Sequence, residues 1–254
     1  MEQSLITQPE EQSEPLADQP KQAKVVAGGD LQIFSIMACL YVAVLIVPIG
    51  LAAKFIAIGP FNVNGATLLW PITFIFNDIF CEVYGYSKSR QIIWTGLAAQ
   101  AFAAFMYWLV SVLPGSAFWH NQIAFDTILG QSPRIVAASL LAYFWGEYAN
   151  SVIMSKMKYA QHGALGKLQN WRFVLSTIAG EAIDTMIFFP LAFLGTIPAV
   201  ELLGTMGFVY CFKVGYEILA LPGSTRVANW LKAREALDVI DEPATTDYSP
   251  MISV

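Results

Sequence analysis

Charge is scarce in this chain. Of its 254 residues only 13% are Asp, Glu, Lys or Arg, against about 25% in an ordinary soluble domain, while 56% are hydrophobic. That excludes a soluble globular domain and points to a membrane protein. The net charge of −5 comes largely from acids crowded into the two ends, so it says little about a partner, and no nucleic acid is expected. Cysteine is rare as well. Cys39, Cys81 and Cys211 all lie in apolar stretches. An odd number of such residues is no disulfide framework, and burial as small hydrophobes is the expectation. Histidine is rarer still. His120 and His162 fall in predicted loops far apart, so neither a metal cluster nor a nucleophile–base pair is expected. No Walker-type glycine loop is present, so the chain cannot hydrolyse ATP, and no cofactor is expected. The first thirty residues, with Glu10, Glu11, Glu14 and Asp18, lack the apolar core of a cleavable signal peptide. Segments 1–30 and 236–254 are expected to be disordered cytoplasmic tails.

What remains, 31–235, is rich in apolar runs near the ~20 residues needed to span a bilayer. Six are found, at 31–53, 65–83, 92–113, 135–154, 173–196 and 205–221. The predicted fold is an all-α membrane protein with six transmembrane helices in one bundle. Lys88 and Arg90 follow the second span, Lys156, Lys158, Lys167 and Arg172 the fourth, and Arg226, Lys232 and Arg234 the sixth. The opposite linkers hold only Lys54 and Arg134. The positive-inside rule therefore places both termini in the cytoplasm, which itself requires an even number of spans. The long outer loop 114–132 carries Trp119, His120 and Phe125 and is expected to lie at the interface as an aromatic belt, or to cap a cavity. Small-residue rows occur at helical spacing: Ser35, Cys39 and Ala43 in the first span, and Ala138, Ala142 and Gly146 in the fourth. Such rows let membrane helices approach closely and would also suit pairing of two copies. Pro48, Pro71, Pro190 and Pro222 sit in or at the ends of spans, each freeing a carbonyl that protein or a cavity must satisfy.

A phrase recurs inside these helices: Gly146-Glu147-x-x-Asn150 and Gly180-Glu181-x-x-Asp184. Each copy puts a carboxylate and a second polar group on one helix face. A charge at mid-membrane costs roughly 2.5–3.5 kcal/mol on insertion scales, which makes a substrate or ion pathway the default reading. Span two places Trp70, Phe74, Asp78 and Glu82 on one face, with Asn77 beside them. Span four stacks Tyr143, Glu147 and Asn150. Span five stacks Thr177, Glu181 and Asp184, with Phe188 beyond. Span six aligns Tyr210, Lys213 and Glu217. Six intramembrane acids thus face one clear base, Lys213. The plain structural alternatives are that Lys213 and Glu217 neutralise each other one turn apart, and that Glu82 caps its helix or pairs with Arg90. An excess of acceptors suits a donor-rich solute. A carboxylate accepts two hydrogen bonds side by side, as the N–H and amine of a guanine-like edge would offer. Asn150, Asn77 or Lys213 would serve its carbonyl, and Trp70, Phe74 or Trp145 its flat ring. A nucleobase fits, and so would an amine-bearing vitamin or a cation.

The string Phe76-Asn77-Asp78-Ile79-Phe80-Cys81-Glu82-Val83-Tyr84-Gly85-Tyr86, followed by Arg90, resembles the signature of the queuosine precursor transporter family, also called the vitamin uptake transporter family. In order follow Ala138-Ser139, Ala142-Tyr143, Gly146-Glu147 with Asn150, Lys156-Met157-Lys158, Arg172, Ser176-Thr177, Gly180-Glu181, Asp184-Thr185, Phe188, Phe193-Leu194-Gly195, Lys213 and Glu217. The resemblance covers 31–240. It departs after span six, where Pro222-Gly223-Ser224-Thr225-Arg226 replaces a threonine–tyrosine exit, and in span one, where no Ala-xxx-Ala docking row is found. The resemblance implies uptake of 7-deazaguanines such as preQ0, preQ1 or queuine, used for the queuosine modification of tRNA. It implies a six-helix bundle similar to the substrate-binding subunits of energy-coupling-factor transporters, in the bacterial inner membrane. The substrate-binding set expected is Trp70, Phe74, Asn77, Asp78, Tyr143, Glu147, Asn150, Glu181, Asp184 and Lys213. Glu147, Glu181 and Asp184 are candidates for proton coupling.

Three functions compete. One is a self-sufficient carrier. The second is a binding subunit that needs a separate ATP-driven coupling module. The third is an intramembrane aspartyl protease using Asp78 and Asp184, which could share a proton. The contexts Asn77-Asp78 and Ala182-Ile183-Asp184 lack the Tyr-Asp and Gly-x-Gly-Asp settings of that class, so no enzyme is expected.

Overall fold

The computed structural model describes residues 32–59, 61–130 and 132–251; the predicted tail 1–30 lies outside the described residues. The chain runs through α1 (Gln32–Leu51), β1 (Phe55–Ile58), β2 (Phe61–Asn64), a 3-10 turn (Gly65–Leu68), α2 (Trp70–Val112), α3 (Gln122–Leu129), α4 (Pro133–Ala160), α5 (Lys167–Phe193) and α6 (Ala199–Glu235). Of these, α1, α2, α5 and α6 are long and apolar enough to cross a membrane. The helical state follows from the solvent, because in lipid every backbone polar group must be satisfied within the segment. The surface is inverted relative to a soluble protein. Phe102 and Leu219 are 66% and 83% exposed, while Glu82, Glu147, Glu181 and Arg172 are fully buried. Lipid favours that arrangement, since outward apolar groups cost nothing and each charge must find partners inside.

The 43-residue α2 is two limbs joined at Gly85, whose φ of 80° lies in the left-handed region that glycine adopts freely. The expected linker between spans two and three is thus a single-residue break, and Lys88 and Arg90 ride on helix. The backbone groups freed by the break are taken up from elsewhere. Lys158 Nζ donates to the Glu82 carbonyl at 2.5 Å and the Val239 N–H to the Val83 carbonyl at 3.2 Å. The Tyr86 N–H donates to Asp241 Oδ2 at 2.8 Å.

These last contacts belong to the C-terminal segment, which lies along the bundle through Met251. Asp238 accepts from Lys158 at 2.5 Å and pairs with Lys232 at 3.0 Å; Asp241 accepts from Ser155 at 2.8 Å. Arg90 donates to the Ser249 carbonyl at 2.9 Å, and Trp94 Nε1 to that of Pro250 at 2.7 Å. The tail's acids meet the bases gathered at this end, and its backbone carbonyls fill donors left over by α2.

Between α1 and α2 the core is aromatic, with Phe34 edge-on to Tyr84 at 4.8 Å and Tyr41 edge-on to Phe80 at 5.9 Å. At the other end the antiparallel β1–β2 hairpin, an addition to the all-α fold predicted from sequence, lays Val63 against Phe189, Leu202 and Val209. Asn64 then caps the 3-10 turn by accepting from the Thr67 N–H at 3.1 Å. The outer loop contains α3, fixed to α2 by a Ser111–Asp126 hydrogen bond of 2.5 Å, with Trp119 edge-on to Phe125 at 6.4 Å. Of the three cysteines only Cys81 is buried. Cys39 and Cys211 are exposed on the apolar exterior, where lipid spares them the need for burial.

Candidate functional site: a polar chamber inside the helix bundle

The repeated Gly-Glu phrase marks the crossing of α4 and α5. A Cβ on Gly180 would lie 2.9 Å from the Gly146 carbonyl oxygen and 2.8 Å from the Phe74 ring. Only glycine permits this approach, in which Phe74 from α2 lies on the crossing. Glu147 and Glu181, each following its glycine, are both fully buried. A close-packed polar chamber results, walled by α2, α4, α5 and α6, with small hollows of about 40 and 10 Å³ toward its two ends.

Within it Lys213 of α6 bridges α5, donating to Glu181 Oε2 at 2.7 Å and Asp184 Oδ2 at 2.6 Å. The alternative in which Lys213 and Glu217 neutralise each other does not occur. A helical neighbour one turn away offers one acceptor, whereas α5 offers two. Glu217 instead accepts from Thr177 Oγ1 at 2.6 Å. Asp78 lies 3.4 Å from that same hydroxyl and 3.3 Å from Ser176 Oγ. Trp70, Asp184, Phe188 and Lys213 line a cavity of about 40 Å³ toward the hairpin end.

Several acceptors and donors in the chamber are left over. Among the described residues, both Glu147 carboxylate oxygens, both ends of the Asn150 amide, Glu181 Oε1, Glu217 Oε1 and Thr185 Oγ1 are buried without a hydrogen-bond partner. Each such group costs about 1–3 kcal/mol. Five acids (Asp78, Glu147, Glu181, Asp184 and Glu217) share this interior with one lysine, Lys213.

Phe74, Asp78, Glu147, Asn150, Glu181, Asp184 and Lys213 all come together here, with Trp70 at the edge. Two expected residues are turned to other tasks. Asn77 staples α2 to α4, donating to the Glu147 carbonyl at 3.1 Å and to Ser151 Oγ at 2.9 Å, while its oxygen accepts from Ser89. The Tyr143 hydroxyl bonds Tyr41 at 2.9 Å and the Ile93 carbonyl at 3.2 Å, tying α4 to α1 and α2. Thr177, Ser176 and Glu217 were not in the expected binding set, although Thr177 lies one turn before Glu181 on the same face.

The opposite end of the chamber is closed by ions. Glu82 is clamped by Arg172, whose Nε donates at 2.8 Å and whose Nη2 also donates, and by Lys232 at 2.6 Å and Gln169 at 3.1 Å. Arg90, the partner in one structural alternative for Glu82, is engaged by the tail instead. Buried charges demand the best-satisfying partner, and Arg172 presents a bidentate fork.

An apolar exterior, long helices and an unsatisfied polar interior define a multi-pass membrane transporter. The chain belongs to the vitamin uptake transporter family: the family model described as "Putative vitamin uptake transporter" matches residues 64–227, from the end of the hairpin into α6. It is similar to a "Probable queuosine precursor transporter" of Bacillus subtilis, 27% identical over 156 residues, covering 61% of this chain and 67% of the relative. A protein of the same description from Haemophilus influenzae is 25% identical over 213 residues, 80% of this chain and 85% of the relative. No solved structure matches. The family transports solutes and is not a family of enzymes.

Proposed function

We propose that this protein is an uptake carrier for queuosine precursors, 7-deazaguanine bases such as preQ0, preQ1 or queuine, in the bacterial inner membrane. The observation that carries the reading is the pair Glu147 and Asn150, one turn apart and fully buried, neither in a well-formed hydrogen bond: Asn150 faces the Asp78 carboxylate, and Glu147 faces Thr73 and Tyr41. A guanine-like edge supplies what they lack. Its ring N–H and exocyclic amine suit a carboxylate, and its carbonyl suits an amide N–H. Phe74 and Trp70 offer aromatic faces, and Glu181, Asp184 and Lys213 supply the polar wall. The relatives' names point to the same solute.

The topology belongs to this reading: six crossings, with α2 counted as two across Gly85, and both termini in the cytoplasm. Arg172, Lys158 and Lys232 gather around the Gly85 break, at the end that the positive-inside rule assigns to the cytoplasm. The small cavity by Trp70 then faces outward. With the Glu82 cluster closed beneath, a bicyclic base enters only when helices separate at the hairpin end. Glu147, Glu181 and Asp184 are the groups through which proton coupling would act. The Ala138, Ala142 and Gly146 row is buried in internal packing, so pairing of two copies would fall to the exposed Ser35–Cys39–Ala43 face of α1.

Liposomes containing only this protein test the carrier reading. Flux of labelled 7-deazaguanine above that of empty liposomes is expected. No flux, with restoration by an ATP-driven coupling module, would make the chain a binding subunit instead.

A further inference from the structure

A second pocket lies on the Glu82 side of the chamber. Asp78 of α2, Thr177 of α5 and Glu217 and Ser224 of α6 line a void of about 10 Å³, the room of one water-sized sphere. Its polar walls are deeply buried, with Glu217 only 6% exposed and Glu217 Oε1 without a partner. Donors are few for the two carboxylates: the Asn150 amide beside Asp78, and two hydroxyls. Thr177 has one, and it stands 2.6 Å from Glu217 Oε2 and 3.4 Å from Asp78 Oδ2. The Ser176 hydroxyl, 3.3 Å from Asp78 Oδ1, has nearer acceptors in the Arg172 and Phe173 carbonyls at 2.7 and 2.9 Å. Lys213 is held by Glu181 and Asp184. Glu181 and Glu147 are the other charged groups that bear on Glu217, and both are acids. Among the described residues no cationic side chain hydrogen-bonds Asp78 or Glu217.

We propose that this pocket binds a single sodium ion, with Asp78, Thr177 Oγ1 and Glu217 as ligands. The donor set is all oxygen, as a hard cation requires. Calcium takes six to eight oxygens, more than these side chains supply, and magnesium keeps several waters, for which a void of one sphere has no room. Sodium is smaller than water and loses its shell more readily than magnesium. Asp78 also stands beside Asn150, so an ion on Asp78 bears directly on the amide assigned to the substrate. Sodium and solute then raise each other's affinity by the same factor. That coupling rests on the carrier reading; occupancy of the pocket does not.

The experiment is thermal unfolding of the purified full chain without solute, with sodium chloride replaced stepwise by choline chloride at fixed ionic strength. A saturable rise in Tm with sodium, much weaker with potassium, is expected. Asp78→Asn and Glu217→Gln should each weaken the apparent sodium affinity tenfold or more. Glu201→Gln, at the exposed start of α6, should leave it unchanged. Equal curves for sodium and choline in the wild-type protein overturn the proposal even if the variants do not fold. So does a Tm that follows pH with no dependence on sodium, which would assign the pocket to a proton. A sodium response without any 7-deazaguanine binding keeps the pocket and removes the substrate reading. Solute binding by a protein indifferent to sodium does the reverse.

Discussion

Gly180 and Gly146 meet backbone to backbone: a Cβ on Gly180 would lie 2.9 Å from the Gly146 carbonyl oxygen, with the Phe74 ring at 2.8 Å and Asn150 Cβ at 2.9 Å. The contact sets the spacing of α4 and α5, and so the spacing of Glu147 and Glu181. Gly180→Ala should destabilise the protein by about 1–3 kcal/mol, as overpacking does, and weaken solute binding. Gly204→Ala, with nothing within 4 Å of the added methyl, should do neither. Thermal unfolding in detergent compares them.

Lys213 is balanced by two acids, so removing either changes both charge and donor count. Glu181→Gln and Asp184→Asn are expected to abolish 7-deazaguanine binding while the helical circular dichroism is retained. His162→Ala, in the turn after α4, should bind normally. Normal binding by the two carboxamides would place the site elsewhere.

Glu82 is the shared acceptor of Arg172, Lys232 and Gln169. Glu82→Ala leaves a buried guanidinium without its carboxylate. The expected loss of stability is about 3–5 kcal/mol, the range for breaking a buried ion pair from one side. Chemical unfolding measures it, and a change under 1 kcal/mol (roughly the worth of an exposed pair) would show the cluster to be solvated.

Asp241 serves the Tyr86 N–H and the Ser155 hydroxyl at the Gly85 break. Asp241→Ala should cost about 1–3 kcal/mol through the donors it strands. Hydrogen exchange at the Tyr86 amide should quicken. An unchanged exchange rate would mean the tail is not docked there in solution.

The four helices long and apolar enough to cross a membrane were legible because lipid writes them in composition, and the meeting of Glu147 with Glu181 because a repeated Gly-Glu phrase in apolar helices has few cheap explanations. What the sequence hid was pairing at long range. Glu82 and Arg172 are 90 residues apart, and nothing local tells Glu82 to prefer Arg172 to the nearer Arg90. The acidic, proline-bearing tail has the composition of a disordered segment, and its order depends on bases contributed by α4 and α6. The hairpin did leave a trace. Gly59-Pro60 between Phe55–Ile58 and Phe61–Asn64 is a turn signal flanked by two strand-like runs, set at the end of an apolar run long enough to mask it. Tyr143 and Asn77 show the limit of helical faces, which place a residue inward without saying whether it meets a solute or another helix.

The central claim is that Glu147 and Asn150, buried and poorly satisfied by their protein neighbours, are completed by a donor-rich base. Direct titration of preQ0, preQ1 and queuine onto the purified wild-type protein and Glu147→Gln tests it. Saturable binding by the wild type and a loss of at least tenfold in the variant are predicted. Equal affinity in the two proteins, or no binding of any of the three bases by the wild type, would contradict it.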